Sequence, residues 1–273
     1  MLPVLIILGI VIFLLTLPLL RRRLRDRRRE AVRRRLFPAH WVDILRAQVP
    51  LYNRLPEPLR TQLHGHIQVL LTEKDFHGAA GFRVTESMRL IVAAQAALLL
   101  LNRPVGYFPE LYSIVLHPAR FLVDRQTWDA AGLQHSERQV LSGESWEQGQ
   151  LVLSWDDSLH GGMNSDDGYN VVLHEFAHQL DLESGAMNGM PALDSVALRN
   201  AWSTDFSAAY EDHCTRVDAG EDTWLDPYAA THPAEFFAVL TEAFFELPRE
   251  LVVEYPALYD RLRDYYRVDP LAW

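Results

Sequence analysis

Cysteine is nearly absent. Cys214 is the only one in 273 residues, so no disulfide can form within the chain and nothing points to an oxidising compartment. Lysine is equally scarce, with Lys74 alone. Basic charge is concentrated in one short stretch, Arg21 to Arg35, where ten Arg face only Asp26 and Glu30, a net of +8. The whole chain carries −10, so everything outside that stretch sums to −18. An acidic body excludes general nucleic-acid affinity, which needs a basic face to displace counterions, and no direct nucleic-acid binding is expected. Internal repeats and long linkers are also missing, so residues 37–273 read as one domain of the α+β class.

Only one apolar run is long enough to cross a bilayer. Met1 to Leu20 is uncharged and almost wholly apolar, and about 20 helical residues span the ~30 Å hydrocarbon core. A cleaved signal peptide carries its positive charge before the apolar run, whereas here the Arg cluster follows it. The positive-inside rule then gives a single-pass anchor over 1–20 in the bacterial inner membrane, an Arg-rich juxtamembrane segment over 21–36, and a cytoplasmic domain over 37–273. A second run, Ile91 to Leu101, is too short to span and reads as a buried helix.

Apolar spacing predicts helices over Leu59–Lys74, from Thr85-Glu86 to Leu101, and over Leu193–Tyr210, Pro233–Phe245 and Tyr255–Tyr266, after a helical entry from Phe37 to Leu55. Between Tyr112 and Trp155 the period changes, and Ser113–Leu116 and Gln150–Trp155 read as strands. The Asp-, Gly-, Ser- and Asn-rich run from Asp156 to Gly168 reads as turns, because its acids do not fit a calcium-loop spacing. His64 and His66, two residues apart, cannot share a helix face and read as surface or satisfied structural residues.

The run Val171 to Asp181 carries chemistry, because it contains His-Glu-x-x-His inside an apolar frame. On a helix, residues four apart share a face, so His174 and His178 can aim ring nitrogens at one ion. Glu175 sits off that row, placed to polarise a water as a general base. Zinc is the expected metal, since imidazole ligands and an open position suit hydrolysis near neutral pH. The frame of Val171, Val172, Leu173, Phe176, Ala177 and Leu180 implies burial, where two His and a Glu are costly without partners. Asp167 and Gly168 offer a cap and turn before the helix, and Asp181 could orient a ligand ring. A hydrolytic site needs a third ligand. Glu235, at the start of an otherwise apolar helix, is the better candidate, with Glu242 either a supporting residue or the ligand, Asp181 a weaker choice, and helix capping the plain alternative for Glu235. Tyr228, with His232 second, is the choice of donor to a developing oxyanion. A substrate peptide is expected to pair with an edge strand at Leu151 to Trp155.

The chain resembles the MtfA, or Mlc titration factor A, family of zinc-dependent gluzincin-type peptidases. The resemblance rests on His64-Gly65-His66-Ile67-Gln68, Val84-Thr85 with Met88-Arg89, Ala93-Ala94-Gln95-Ala96, Gly143-Glu144-Ser145-Trp146, Leu153-Ser154-Trp155-Asp156-Asp157, the run Val171 to Asp181, and Asp226 to Glu242. It implies a mostly helical zinc peptidase domain with a small sheet, like the peptidase core of anthrax lethal factor. It implies His174, His178 and Glu235 as zinc ligands and Glu175 as catalytic, with a peptide or protein as substrate. Aminopeptidase action is among the activities it suggests. It further implies a link to sugar uptake through an Mlc-like transcriptional repressor. The N-terminal span is a departure from the soluble members. The competing expectation is a non-catalytic, membrane-tethered module that binds and sequesters such a repressor, its zinc purely structural.

Overall fold

A computed structural model describes the backbone of residues 2–104, 106–128, 134–141, 143–146 and 149–273, and side chains at 16–104, 106–121, 143 and 149–273. The first third of the chain forms α1 (Leu2–Arg33), α2 (Ala39–Gln48), α3 (Pro50–Arg54), α4 (Glu57–Glu73), β1 (Asp75–Gly78) and α5 (Glu86–Leu98). Strands β2 (Ser113–His117), β3 (Phe121–Trp128), β4 (Gln134–Leu141), β5 (Gly143–Trp146) and β6 (Gln150–Ser154) follow. The rest is α6 (Trp155–Met163), α7 (Val171–Leu182), α8 (Val196–Asp218), α9 (Pro233–Glu246), α10 (Pro248–Glu254) and α11 (Pro256–Tyr266). The fold is mostly helical with a small sheet, as the sequence implied.

Local chemistry sets the helix starts. Thr85, Ser154, Asn170 and Ser195 each accept a backbone N–H from the first turn of α5, α6, α7 and α8. Pro50, Pro233, Pro248 and Pro256 open α3, α9, α10 and α11, where proline lacks an N–H that would be unpaired anyway. The run from Asp156 to Gly168, expected to be turns throughout, is half helix. Ser154 caps α6, Asp156 and Asp157 occupy its acid-favouring first turn, and Gly161 and Gly162 let it lie close against Asn170, Gln95 and Ile91.

The sheet order is β1-β2-β6-β5, with β1, β2 and β6 parallel and β5 antiparallel to β6. β3 and β4 form a separate antiparallel pair. The expected edge at Leu151 to Trp155 is therefore corrected: β6 lies between β2 and β5, both of its ladder edges are used, and Trp155 already begins α6. β5 is the edge strand on that side, and it packs against α7. β1 and β5 are four residues each, too short to show a period of two.

Helix α5 is buried without a break from Leu90 to Leu98, confirming that Ile91 to Leu101 is core. Its one polar side chain there, Gln95, donates to Ser158 O and so ties α5 to α6. A second block of core forms where Phe236, Phe237, Phe244 and Phe245 of α9 meet Trp202, Phe206, Tyr265 and Tyr266. His64 and His66 are structural residues, bonded through His64 Nε2 and His66 Nδ1 to the hydroxyls of Tyr52 and Tyr107, while buried His66 Nε2 has no partner among the described residues. The sole lysine is internal too. Lys74 Nζ donates to Phe108 O and Leu111 O at 2.7 and 2.6 Å, and burial pushes it down to about 8. That clamp holds a strained turn in which both Tyr107 and Phe108 have positive φ (60° and 52°), setting the Phe108 ring 4.7 Å from Phe176 of α7.

The expected membrane span over 1–20 falls for the most part outside the residues with described side chains. Among the described residues no helix is long and apolar enough to cross a membrane. The C-terminal turns of α1 pack against α4. Buried Arg29 makes a bidentate pair with Glu73 at 2.8 and 2.7 Å, donates to Gly106 O, and lies 4.7 Å over the Tyr107 ring, while Val32 joins the core. Burial acts to raise the Glu73 carboxyl and Arg29 holds it below its ordinary value, so removing Arg29 would leave a half-buried carboxylate without its bidentate partner. Arg29→Ala is expected to cost about 2 kcal/mol or more in urea unfolding. A chain lacking residues 1–36 should likewise unfold at lower urea than one lacking 1–20. Equal midpoints for the two truncations would show that α1 contributes nothing to the domain.

Candidate metal centre

α7 and α9 lie against each other, and their facing residues follow helical spacing. From α7 come His174, Glu175 and His178; from α9 come Glu235, Glu242 and Glu246. Nε2 of His174 lies 3.0 Å from Glu235 Oε2 and 3.2 Å from Nε2 of His178, and His178 Nε2 lies 3.3 Å from the same Glu235 oxygen. Donor atoms held about 2.0–2.1 Å from a tetrahedral zinc lie about 3.3 Å from one another. The triangle thus has the edge lengths of three ligands around one ion, and it is the cluster among the described residues whose donors converge this way.

The surroundings fit a cation. Nδ1 of His174 faces Glu242 Oε1 at 2.7 Å, and a carboxylate oxygen there accepts from that nitrogen. This is the carboxylate–histidine pairing that orients a metal-binding imidazole. Burial works against charge on His174, but Glu242 and Glu235 hold its imidazole well above the ordinary value. Burial acts to raise Glu235 too, yet the hydrogen bonds and charges of His174 and His178 keep it below the usual carboxylate range. Four carboxyls crowd the seam, and among the described residues no Lys or Arg lines the adjoining cavity. A divalent cation would balance that charge.

Glu175 is not one of the triangle's donors and is buried, with Oε2 lacking any hydrogen-bond partner among the described residues. Burial raises its carboxyl, against the pull of His178 and His174. Gly143 of β5 makes room for it, since a Cβ there would stand 2.5 Å from both Cγ and Oε1 of Glu175. Tyr228 stands at the cavity rim in a short 3-10 turn, Pro227–Ala230, with its ring 6.2 Å from that of His174. His232, the second candidate for that role, caps α9 through Nδ1, which accepts from Ala234 N at 3.1 Å, and it does not line the cavity.

Several expectations change here. Asp181 accepts from Gly189 N at 2.7 Å, while His178 Nδ1 has no partner among the described residues, so Asp181 does not orient that ring. The cap of α7 is Asn170 rather than Asp167 or Gly168. Its side chain accepts from Leu173 N and donates to Gly161 O and Glu246 Oε1, and its backbone N–H donates to Glu242. Asn170 and Gly143 were not singled out in the sequence as parts of the site. Nothing in the motif spacing marks them, although an Asn one residue before an apolar helix is a cap signal.

Two histidines one turn apart, a carboxylate from a second helix and a buried glutamate beside them form a donor set of the metallopeptidase class. Comparison with known proteins then fixes the family. Residues 22–267 match the family described as glucose-regulated metallo-peptidase M90. An uncharacterised protein of Synechocystis sp. is 39% identical over 247 residues, 90% of each chain. Mlc titration factor A of Yersinia pestis (strain Pestoides F) is 36% identical over 239 residues, 86% of each chain, and its Yersinia pseudotuberculosis counterpart matches equally. The chain belongs to this family of M90 metallopeptidases and Mlc titration factor A proteins.

Behind the triangle, burial pushes Glu246 up to about 9, with the Asn170 hydrogen bond opposing that rise. A carboxyl raised this far above its ordinary 4.5 holds its proton more tightly in the fold than in the unfolded chain. Its contribution to stability is therefore full below the unfolded value and is lost as pH rises toward about 9. Glu246→Gln should flatten that slope, so the variant's Tm should gain on wild type between pH of about 6 and about 9. Parallel Tm curves over that window would mean that Glu246 is ionised in the folded protein.

Proposed function

We propose that the chain is a zinc-dependent peptidase in which His174, His178 and Glu235 hold the metal and Glu175 is the general base. The observation that carries this reading is the triangle of 3.0, 3.2 and 3.3 Å with buried Glu175 beside it, its Oε2 without a partner among the described residues. Zinc held there would polarise the scissile carbonyl and make an attacking water more acidic. Glu175 accepts the proton of that water and passes it to the leaving amine. Tyr228, on the loop leading into α9, donates to the oxygen on which negative charge develops. Glu242 keeps His174 in its donor tautomer and orientation. β5 offers the free edge to an extended substrate backbone, with Gly143 leaving Glu175 its space. A structural metal site closes with four protein ligands and has no use for such a glutamate, which counts against a purely binding module.

Three variants separate these roles. Glu175→Gln should keep zinc and lose roughly 10²–10⁴-fold in hydrolysis of a peptide library. Glu235→Ala should lower zinc affinity and regain part of its activity with added zinc. Tyr228→Phe should bind zinc as wild type does, with KM little changed and kcat lower by about 10–10³-fold. Near-full hydrolysis by Glu175→Gln would dismiss the base and favour the binding module.

We further read residues 1–20 as a single-pass anchor in the bacterial inner membrane that leaves the peptidase domain 37–273 in the cytoplasm. The support is the uncharged apolar run followed by the Arg cluster. Exposed Leu19, Leu20 and Leu24 continue that apolar character into the described part of α1. Protease added to spheroplasts should leave the domain intact, and its digestion from outside would overturn the orientation. The printed name of the Yersinia relatives, Mlc titration factor A, supports an Mlc-like repressor as a partner. Co-sedimentation of the two purified proteins is the direct check of that link.

A further inference from the structure

The cavity beside the triangle has a wall chemistry of its own. It measures about 490 Å³, within the range of pockets that hold small organic groups. Val171 of α7, Val239 and Ala243 of α9, and Leu225 and Leu247 from the adjoining segments give it apolar surface. Gly168, at φ +75°, leaves space for Leu247 Cδ1, which a Cβ there would approach to 2.7 Å. Glu235, Val239, Glu242 and Ala243 share one face of α9 at offsets of four, seven and eight. Val239 therefore stands one turn, about 6 Å along the helix, from the carboxylate that closes the triangle. An extended peptide advances about 3.3 Å per residue, so a side chain next to the scissile bond reaches this wall.

The charged groups lining the cavity are all of one kind apart from His174. They are the carboxyls of Asp167, Glu175, Asp226 and Glu242, and no Lys or Arg joins them among the described residues. An incoming carboxylate would meet like charge from these carboxyls, whereas an apolar group would displace water from five aliphatic side chains.

We propose that this cavity receives the substrate residue flanking the scissile bond and selects a bulky apolar side chain there, excluding Asp and Glu, with Val239 and Ala243 setting the size admitted. The proposal rests on the peptidase reading and supplies what that reading leaves open, the kind of residue beside which the chain cuts.

The zinc-loaded full chain in detergent is assayed on peptides carrying Ala, Leu, Phe or Asp in turn on each side of one scissile bond. On one side, kcat/KM for Leu or Phe should exceed that for Ala by roughly 10–100-fold. Asp there should fall about 100-fold below Ala. Ala243→Leu should cut the Phe/Ala ratio roughly 10-fold or more, and Val239→Ala should raise it. Reading a ratio removes any general loss of activity. Should Ala243→Leu fail to fold, Val239→Ala and Leu247→Ala read the same wall from the enlarged side. Asp cleaved as well as Leu, or a Phe/Ala ratio unmoved in folded, zinc-loaded variants, would overturn the pocket while leaving the peptidase intact. Peptide affinity of Glu175→Gln, read by fluorescence anisotropy, should follow the same order without turnover. A wild type that cleaves nothing yet binds Phe over Asp peptides, with affinity moved by Val239→Ala, would keep the pocket and reject the peptidase.

Discussion

The seam between α7 and α9 is the constraint around which the rest is arranged. Two imidazoles and four carboxyls meet there with little access to water. Each charge taken into such a place costs several kcal/mol unless it is paired. The pairing is nearly complete and comes from both helices: Glu242 with His174 and the Asn170 N–H, Glu246 with the Asn170 side chain, Glu235 with both histidines. What is left over is the triangle of donors and the unpaired Oε2 of Glu175, with Glu246 Oε2 and His178 Nδ1 also lacking partners among the described residues. In the proposed function a cation would complete the first, and a water to be deprotonated would suit the second.

The surrounding fold keeps that seam in register. Phe176, between the two histidines in sequence, packs on Phe108, whose strained backbone is gripped by buried Lys74. The same turn is touched by Arg29 of α1 through Gly106 O and the Tyr107 ring. A helix rich in arginine, which by composition looks fully solvated, thus places one of its guanidinium groups against the turn that supports the metal helix. On the other side the aromatic block of α8, α9 and α11 fixes the back of α9, so the acids on its front face cannot rotate away.

Much of this was legible in the sequence where the signal is local. The pair His174 and His178, the off-row position of Glu175, the start of α9 at Pro233 and the burial of Ile91 to Leu101 each follow from spacing or composition over a single element. The failures share a different cause. The glycines and acids of Asp156 to Gly168 favour turns, while the Ser154 cap and close packing against Asn170 and Gln95 make half of it helix. The edge strand was misplaced because nothing in Gln150 to Ser154 says which neighbours lie beside it; strand order belongs to the sheet. Asp181 looked suited to orient His178 by its spacing, yet the loop after α7 returns and claims it through Gly189.

The sequence by itself determined the row of His174 and His178 and the off-row place of Glu175, since four-residue spacing on a helix is a property of the helix alone. It also determined that the histidines would need partners, because the apolar frame around them excludes water. Which acid closes the triangle and which one supports it was decided only in three dimensions. Glu235 and Glu242 lie on one face of α9 seven residues apart, and only the way α9 settles on α7 brings the first to both Nε2 atoms and the second to Nδ1 of His174. The roles of Gly143 and Asn170 were settled in the same way, by β5 meeting Glu175 and by the start of α7 meeting α9. Contacts between elements distant in the chain have no period to be read, so packing had to choose them.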